Sequence, residues 1–308
     1  MVREGGLRKE GIFKKGTPSR PLVSIITPTF NRRETLLHTM ESVLHQTYSP
    51  IEYIVVDGGS QDGTVELLER YSDGIDYWVS ERDEGVFDAM NKGIRHSRGE
   101  IIGIINSDDW YAPDTVEKVV ENWKEDPRLN VFFGDAVVIL RGERFAFLRK
   151  GSFERFPYEM SLNHPTCFLT RDTYQKWGYF DTRFRYAADY EFFLRIYFAG
   201  AKFKYIPSTL AYIRKGGLTE SYGVHLEVYQ IYLRYFSFPF AFLRFIQESG
   251  EHFLEYIRRN LGESLAGILG EERWQGIRER WLRRKFGANL LSWRDYPSSF
   301  RINRADFP

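Results

Sequence analysis

The sequence predicts an α/β protein: a doubly wound, mixed β-sheet flanked by helices and followed by a helical appendage. Three observations lead there. Runs rich in β-branched residues, LVSIITPTF (22–30), IEYIVVD (51–57) and IIGII (101–105), read as strands buried on both faces. Segments of helical periodicity alternate with them at the pace of strand–helix–strand units. Each run also ends abruptly: in Thr27-Pro28-Thr29, in Asp57, and in Asn106-Ser107-Asp108-Asp109. In parallel strands these ends meet at one crevice, where open α/β sheets bind ligands.

Taken in order, residues 1–20 are basic and lack an apolar core, so they read as a flexible leader, neither signal peptide nor anchor. The ordered chain is expected to begin at Pro21. In the first strand Pro28 should close the pairing. Asn31 to His45 follows a helical period through Leu36, Leu37, Met40, Val43 and Leu44. After the second strand, DGGSQDGT lacks both GxGxxG and GxxxxGK[ST], which argues against a dinucleotide fingerprint or a P-loop. Asp57 is suited either to a base or ribose or to capping its own turn. Asp62 can cap the helix carrying Val65, Leu67 and Leu68. IDYWVS is a further strand and Val86 to His96 a further helix.

The run ending in NSDD carries the sharpest signal. Adjacent carboxylates beyond a buried strand are costly unless something positive neutralises them. A hard divalent cation with a phosphate ligand would do so. The plainer alternative is a pair of helix-capping aspartates before Pro113.

Further along, NVFFGDAVVIL, RFAFLRK and PTCFLT read as strands, the first two a hairpin around Gly142; Asp135 reads as a turn or edge acid. In RYAADYEFFLRIYFAG, Phe192, Phe193, Ile196 and Tyr197 form an apolar helical face, which puts Asp189 and Glu191 at its amino end. They suit a helix start, and equally a general base. Beyond residue 225, HLEVYQIYLRYFSFPFAFLRFI, HFLEYIRR and EERWQGIRERWLRRKFG are amphipathic. Arg278, Arg280, Arg283, Arg284 and Lys285, interleaved with Trp274, Trp281 and Phe286, suit either an anionic membrane surface or a packed or dimerising helix with a solvated basic face.

Composition narrows the classes. A formal charge of +1 over 308 residues argues against nucleic acid as a partner. Cys167 is the one cysteine, so no intramolecular disulfide forms and a reducing compartment is expected: the cytoplasm, or the cytoplasmic face of a membrane. No run of 18 apolar residues exists to span a bilayer.

SIITPTFNR, SVLHQTY, EYIVVDGGSQDGT, SERDEGVFDAMNKGI and GEIIGIINSDDWYAPDTVE follow one another in an order and spacing that resembles the family-2 glycosyltransferases. The resemblance covers roughly residues 21–215. It implies a GT-A fold over residues 21–224, with a nucleotide-binding half (21–110), an acceptor-binding half (111–224) and a C-terminal extension (225–308). The implied donor is a nucleotide-diphosphate sugar, a UDP-sugar favoured over a GDP-sugar; the implied acceptor is a glycan or lipid-linked saccharide.

By the same resemblance, Asp57 holds the nucleoside and Thr27, Pro28 and Thr29 line the base pocket. Asp83 is a further nucleotide-side position. Asn91 and Gly93 form an Asn-x-Gly signature, with Met90 where the family often has arginine and Lys92 as the alternative cation. NSDD is similar to the family's Asp-x-Asp motif with Asn106 replacing its first acid. Asn106, Ser107 and Asp108 then face the donor, and Asp108, with Asp109 second, binds Mn2+ or Mg2+. ADYEFFLR resembles the motif carrying the catalytic base, which makes Asp189 the base and Glu191 the fallback. From the residues themselves, Trp110, His164, Arg214 and Lys215 are acceptor or flap candidates: YIRKGGLTE (212–220) suits a flap or a plain surface loop, His164 a ligand contact or a structural role, and His225 is a further metal candidate. A sugar-nucleotide pyrophosphorylase and a sugar-nucleotide-binding protein without catalysis are the alternatives. The first lacks its glycine-rich basic loop, and the second is disfavoured by Asp57, Asp108 and Asp189 together.

Overall fold

In the computed structural model the described residues are 2–140, 145–216, 223–247, 249–250 and 271–292. The chain divides into two compact units, residues 1–138 with 149–214 and residues 139–148 with 215–308.

The first unit is built on a mixed sheet of β1 (Arg3–Gly5), β2 (Val23–Thr29), β3 (Ile51–Asp57), β4 (Tyr77–Ser80), β5 (Ile101–Ile104), β6 (Trp110–Tyr111), β7 (Val131–Ile139), β9 (Phe168–Thr170) and β10 (Phe203–Arg214), β8 being Phe145–Arg149. The order is β1-β4-β3-β2-β5-β9-β7-β10-β6. Strands β4, β3, β2 and β5 are mutually parallel, in keeping with their largely apolar, buried sequences. From β9 onward the sheet becomes mixed, β9 running antiparallel to both β5 and β7. The register sets Thr29 opposite Asp57 and Asp57 opposite Ser80, so three polar strand ends share one edge.

Pro28 closes the pairing on one side only. The β2–β5 ladder ends at Ile26, whose carbonyl accepts Ile105 N at 2.9 Å, while the β2–β3 ladder continues to Thr29. Backbone groups alternate sides along a strand, so Pro28 faces the β5 side beyond its last rung, where a missing N–H costs nothing.

Helices α1 (Arg33–Leu44), α2 (Thr64–Arg70), α3 (Val86–His96), α4 (Thr115–Glu125), α5 (Arg171–Trp177) and α6 (Ala188–Phe198) belong to the same unit. Helix α1 buries Leu36, Thr39, Met40 and Val43 at helical spacing, whereas Leu44 is exposed. Helix α3 lies so close to β2 that a Cβ on Gly93 would stand 2.3 Å from Ile26 Cγ2. Two residues earlier, Asn91 donates to Phe180 O (2.9 Å) and accepts from Phe180 N (3.0 Å).

The N-terminal residues are not a loose leader. Arg3–Gly5 pair antiparallel with β4 at the sheet edge. Arg8 forms a buried ion pair with Glu52, and Lys14 meets Asp76 at 2.8 Å. Glu52 and Asp76 are 2% and 1% exposed, and such carboxylates need cationic partners. The basic residues of the leader supply them.

In the second unit Leu140 N donates to Phe145 O at 3.3 Å, consistent with the expected hairpin; Gly142 itself lies outside the described residues. Strand β8 pairs antiparallel with β11 (Leu290–Ser292), and Phe147 stacks on Phe286 at 4.1 Å. The helical parts are α7 (Gly223–Tyr235), residues 238–247 and the helix Glu271–Phe286. HFLEYIRR lies outside the described residues, and among the described ones no helix is long and apolar enough to cross a membrane.

Candidate active site

The site begins at the edge formed by the parallel strand ends. Asp57, the last residue of β3, is fully buried. Its Oδ2 accepts Gly59 N (3.0 Å), Ser60 N (2.9 Å) and Ser80 Oγ (2.6 Å), and its Oδ1 accepts Ser60 Oγ. The carboxylate therefore shapes its own turn, the capping role that its spacing allowed. Gly58 leaves room for Asp83: a Cβ there would fall 2.5 Å from Asp83 Oδ2. Partial burial, and more weakly Asp88 and Asp57, push the Asp83 carboxyl up from its ordinary range, against the pull of Gly85 N and Lys92. Thr27 is buried and accepts Tyr53 OH at 3.1 Å, so it is a wall of the sheet, while Thr29 is 4% exposed.

The two strand-to-helix loops at this edge are latched together. Asn31, in a left-handed conformation, donates N–H to Ser60 Oγ (2.7 Å) and accepts Gln61 N at its Oδ1 (2.9 Å). Asp62 accepts Arg33 N and Thr64 N, both at 3.0 Å, so one carboxylate serves the starts of α1 and α2. Sequence reasoning missed Asn31, Arg32, Ser60 and Ser80. The usable signal was their position, at or just beyond the ends of strands that finish in the crevice.

In the acid turn the two aspartates separate. Asp109 is 3% exposed; it accepts Arg214 N at Oδ1 (2.9 Å) and Asn106 Nδ2 at Oδ2 (3.2 Å). Burial first, and then the neighbouring Asp108 charge, push its carboxyl up to about 8, against those two donors and the Arg149 charge. Asn106, standing where an acid was expected, thus acts as a hydrogen-bond donor to Asp109. Asp108 keeps its side chain 28% exposed, with Arg32 Nε 4.0 Å from its Oδ2. Ser107 is buried in the same turn.

A second group of residues forms at the start of α6. Asp189, 20% exposed at the side chain, has His164 Nδ1 3.6 Å from its Oδ2. The His164 ring packs edge-on against Phe180 and Phe193, and this burial lowers its proton affinity against the opposing Asp189 charge. Asn163, in a left-handed conformation, donates to Gly134 O (3.1 Å) and Arg149 O (3.0 Å) and so fixes the approach to His164. Glu191 behaves differently. It is 1% exposed and tied to Arg195 at 3.1 Å, and Arg195 also donates to the Trp177 and Tyr179 carbonyls. It is a structural ion pair, which removes it as a fallback base.

Several expected contacts go elsewhere. Both ends of the Asn91 amide are used by Phe180, and Lys92 is held by Glu81 (2.8 Å) and Asp88 (3.4 Å). Trp110 is buried between His38 and Tyr212, at centroid distances of 4.4 and 5.6 Å, rather than facing an acceptor. Arg214 joins the acid turn through its backbone, its guanidinium lying 5.5 Å from the Trp110 ring centre. Asp135 accepts Gly151 N (2.9 Å) and Tyr205 OH (2.7 Å) as an internal brace. Lys215 is exposed, and residues 217–220 of the expected flap lie outside the described ones. His225 is on α7 of the second unit.

Among the described residues no three His, Cys, Asp or Glu side chains cluster as metal ligands. The donor set that is present, one exposed carboxylate backed by a buried one, fits a Mg2+ or Mn2+ ion completed by phosphate oxygens and water.

Comparison with known proteins identifies the family. Residues 24–184 match glycosyl transferase family 2. An uncharacterized glycosyltransferase of Mycobacterium tuberculosis (strain H37Rv) is 36% identical over 181 residues, 58% of this chain and 69% of that one. A PGL/p-HBAD biosynthesis glycosyltransferase of Mycobacterium bovis (strain BCG) is 29% identical over 181 residues, 58% of this chain and 70% of its own. Among solved structures, residues 1–349 of S. aureus TarS in complex with UDP-GlcNAc superpose with a TM-score of 0.55 at 18% identity, covering 68% of this chain and 65% of that one. The chain belongs to glycosyltransferase family 2 and has the GT-A type of fold.

Proposed function

We propose that the protein is an inverting, metal-dependent glycosyltransferase. It moves a hexose or N-acetylhexosamine from a nucleotide-diphosphate sugar, preferably a UDP-sugar, to a hydroxyl of a glycan or lipid-linked saccharide. The proposed setting is polysaccharide or cell-surface glycan synthesis in the cytoplasm. The observation that carries this reading is the contrast between two acids at one helix start: Asp189 keeps its side chain 20% exposed with His164 Nδ1 3.6 Å from its Oδ2, while Glu191 is 1% exposed and locked to Arg195.

Asp189 is the general base. As the acceptor oxygen attacks the anomeric carbon, its proton passes to the Asp189 carboxylate, and the nucleoside diphosphate leaves with the bonding pair. One base and one displacement give inversion. His164 supports the Asp189 carboxylate from behind and limits its rotation. Asp108 would hold the cation, with Asp109 behind it, and the bound ion would supply Lewis-acid neutralisation of the leaving diphosphate. Asp57 and Asp83 shape the nucleoside end. The UDP and UDP-GlcNAc complexes of the similarly folded TarS favour uridine.

The test is thermal stability under titration with Mn2+ and a panel of nucleoside diphosphates, since a ligand stabilises by RT ln(1 + [L]/Kd). A UDP shift that needs Mn2+ and disappears in Asp108→Asn is expected. Absence of a shift with every diphosphate sinks the reading.

A further inference from the structure

The second unit carries an apolar face on its outside. Over residues 237–247 the exposed positions are Ser237, Phe238, Pro239, Phe242, Leu243, Ile246 and Gln247, with no charge among them. Phe238 and Leu243 are 64% and 67% exposed, Phe242 and Ile246 46% and 53%. At about 100° per residue these four side chains span an arc of about 140°. Phe238 and Phe242 stack at 5.9 Å, which makes the patch continuous.

Apart from Arg244, which donates to Gln247 at 3.2 Å, the remaining residues of the same helical segment are apolar too. Phe240 meets Tyr232 at 5.6 Å, Phe245 meets Tyr229 at 4.9 Å, and Ala241 is fully buried. Packing onto α7 is therefore already satisfied from within, and the outer face is surplus to folding. Large exposed apolar patches mark protein or membrane contacts. On α7, Leu226 and Leu233, 46% and 44% exposed and seven residues apart, lie along one stripe beside exposed Arg234.

Charge selects the occupant. Around exposed Trp281, the helix Glu271–Phe286 of this unit exposes Arg280, Arg284 and Lys285, with Lys285 Nζ 5.0 Å from the Trp281 ring centre, while exposed Arg283 is paired with Glu279 at 2.8 Å. A second copy would bring the same basic cluster. An anionic bilayer offers both what the uncharged aromatic face needs and what the cations need.

We propose that the second unit docks peripherally on an anionic lipid surface, with Phe238, Phe242, Leu243 and Ile246 entering the headgroup–acyl boundary. Arg280, Arg284 and Lys285 then engage lipid phosphates. This inference is independent of the donor and acceptor assigned above.

Flotation of the full chain with phosphatidylcholine vesicles, with and without phosphatidylglycerol, tests it. Binding is expected to the anionic vesicles and to weaken with salt. Phe242→Glu with Leu243→Glu should lower that binding by about 10-fold or more per residue, with far-UV circular dichroism unchanged because both side chains are exposed. Arg280→Gln with Arg284→Gln should lower binding to the anionic vesicles selectively. The proposal is overturned if the parent protein floats with neither composition, or if the glutamate variant floats as well as the parent. It is also overturned if that variant instead dissolves a concentration-dependent dimer in a protein that ignores vesicles.

Discussion

Asp189 and Glu191 stand two residues apart and illustrate how far environment outweighs residue type. Asp189→Asn is expected to lower kcat on the order of 10²- to 10⁴-fold while leaving the UDP-dependent thermal shift intact. Glu191→Gln removes the charge partner of Arg195, which keeps the Trp177 and Tyr179 carbonyls. Its expected effect is a stability loss of about 1–3 kcal/mol in chemical denaturation, with kcat of the folded fraction nearly unchanged. His164 adds a pH signature. Burial lowers its proton affinity below the ordinary value of 6.5, so below that pH the unfolded chain holds more protons than the folded one. Stability should fall as pH drops through and below about 6.5. His164→Gln should flatten that limb of the stability–pH curve. None of this pairing was visible in sequence, because His164 and Asp189 meet only through folding.

At the scale of elements, the alternating apolar runs and helical periods were readable, since buried strands and amphipathic helices leave periodic traces. Val86–His96 is helical over the residues its periodicity indicated. What those traces could not convey was how closely elements approach. The Asn-x-Gly pair looked like part of a ligand site; here Gly93 allows α3 to touch Ile26, and Asn91 fastens α3 to the backbone of Phe180. Gly93→Ala should therefore destabilise by about 1–3 kcal/mol, despite alanine's better helix propensity, as measured by denaturant midpoint. In the acid turn the two neighbouring aspartates were legible as a pair, but their division was not. It depends on the Arg214 amide, 105 residues further along the chain.

For the whole molecule, the largest departure concerns residues 1–20. Their charge reads as solvation when partners are unknown. Arg8 and Glu52 lie 44 positions apart, and only the folded sheet edge shows that Glu52, also holding Ser24 Oγ (2.6 Å) and Arg98 N (2.8 Å), depends on that arginine. Arg8→Ala should cost about 3–5 kcal/mol by leaving a buried carboxylate unpaired. Deleting residues 1–20 should cost more, because Asp76 loses Lys14 as well; chemical denaturation of both variants is the measurement. The mixed sheet and the helical appendage were correctly expected, whereas the division of the chain takes residues 139–148 out of the first unit.

Asp62 has one further consequence. Because its two oxygens hold the first turns of α1 and α2, and Asn31 is latched to Ser60 and Gln61, the rim around the strand ends behaves as one hinge-free bracket. A change of donor nucleotide by substitution in either loop alone would work against the other loop. Productive redesign, like natural divergence, should have to move through paired changes at 31–33 and 60–64.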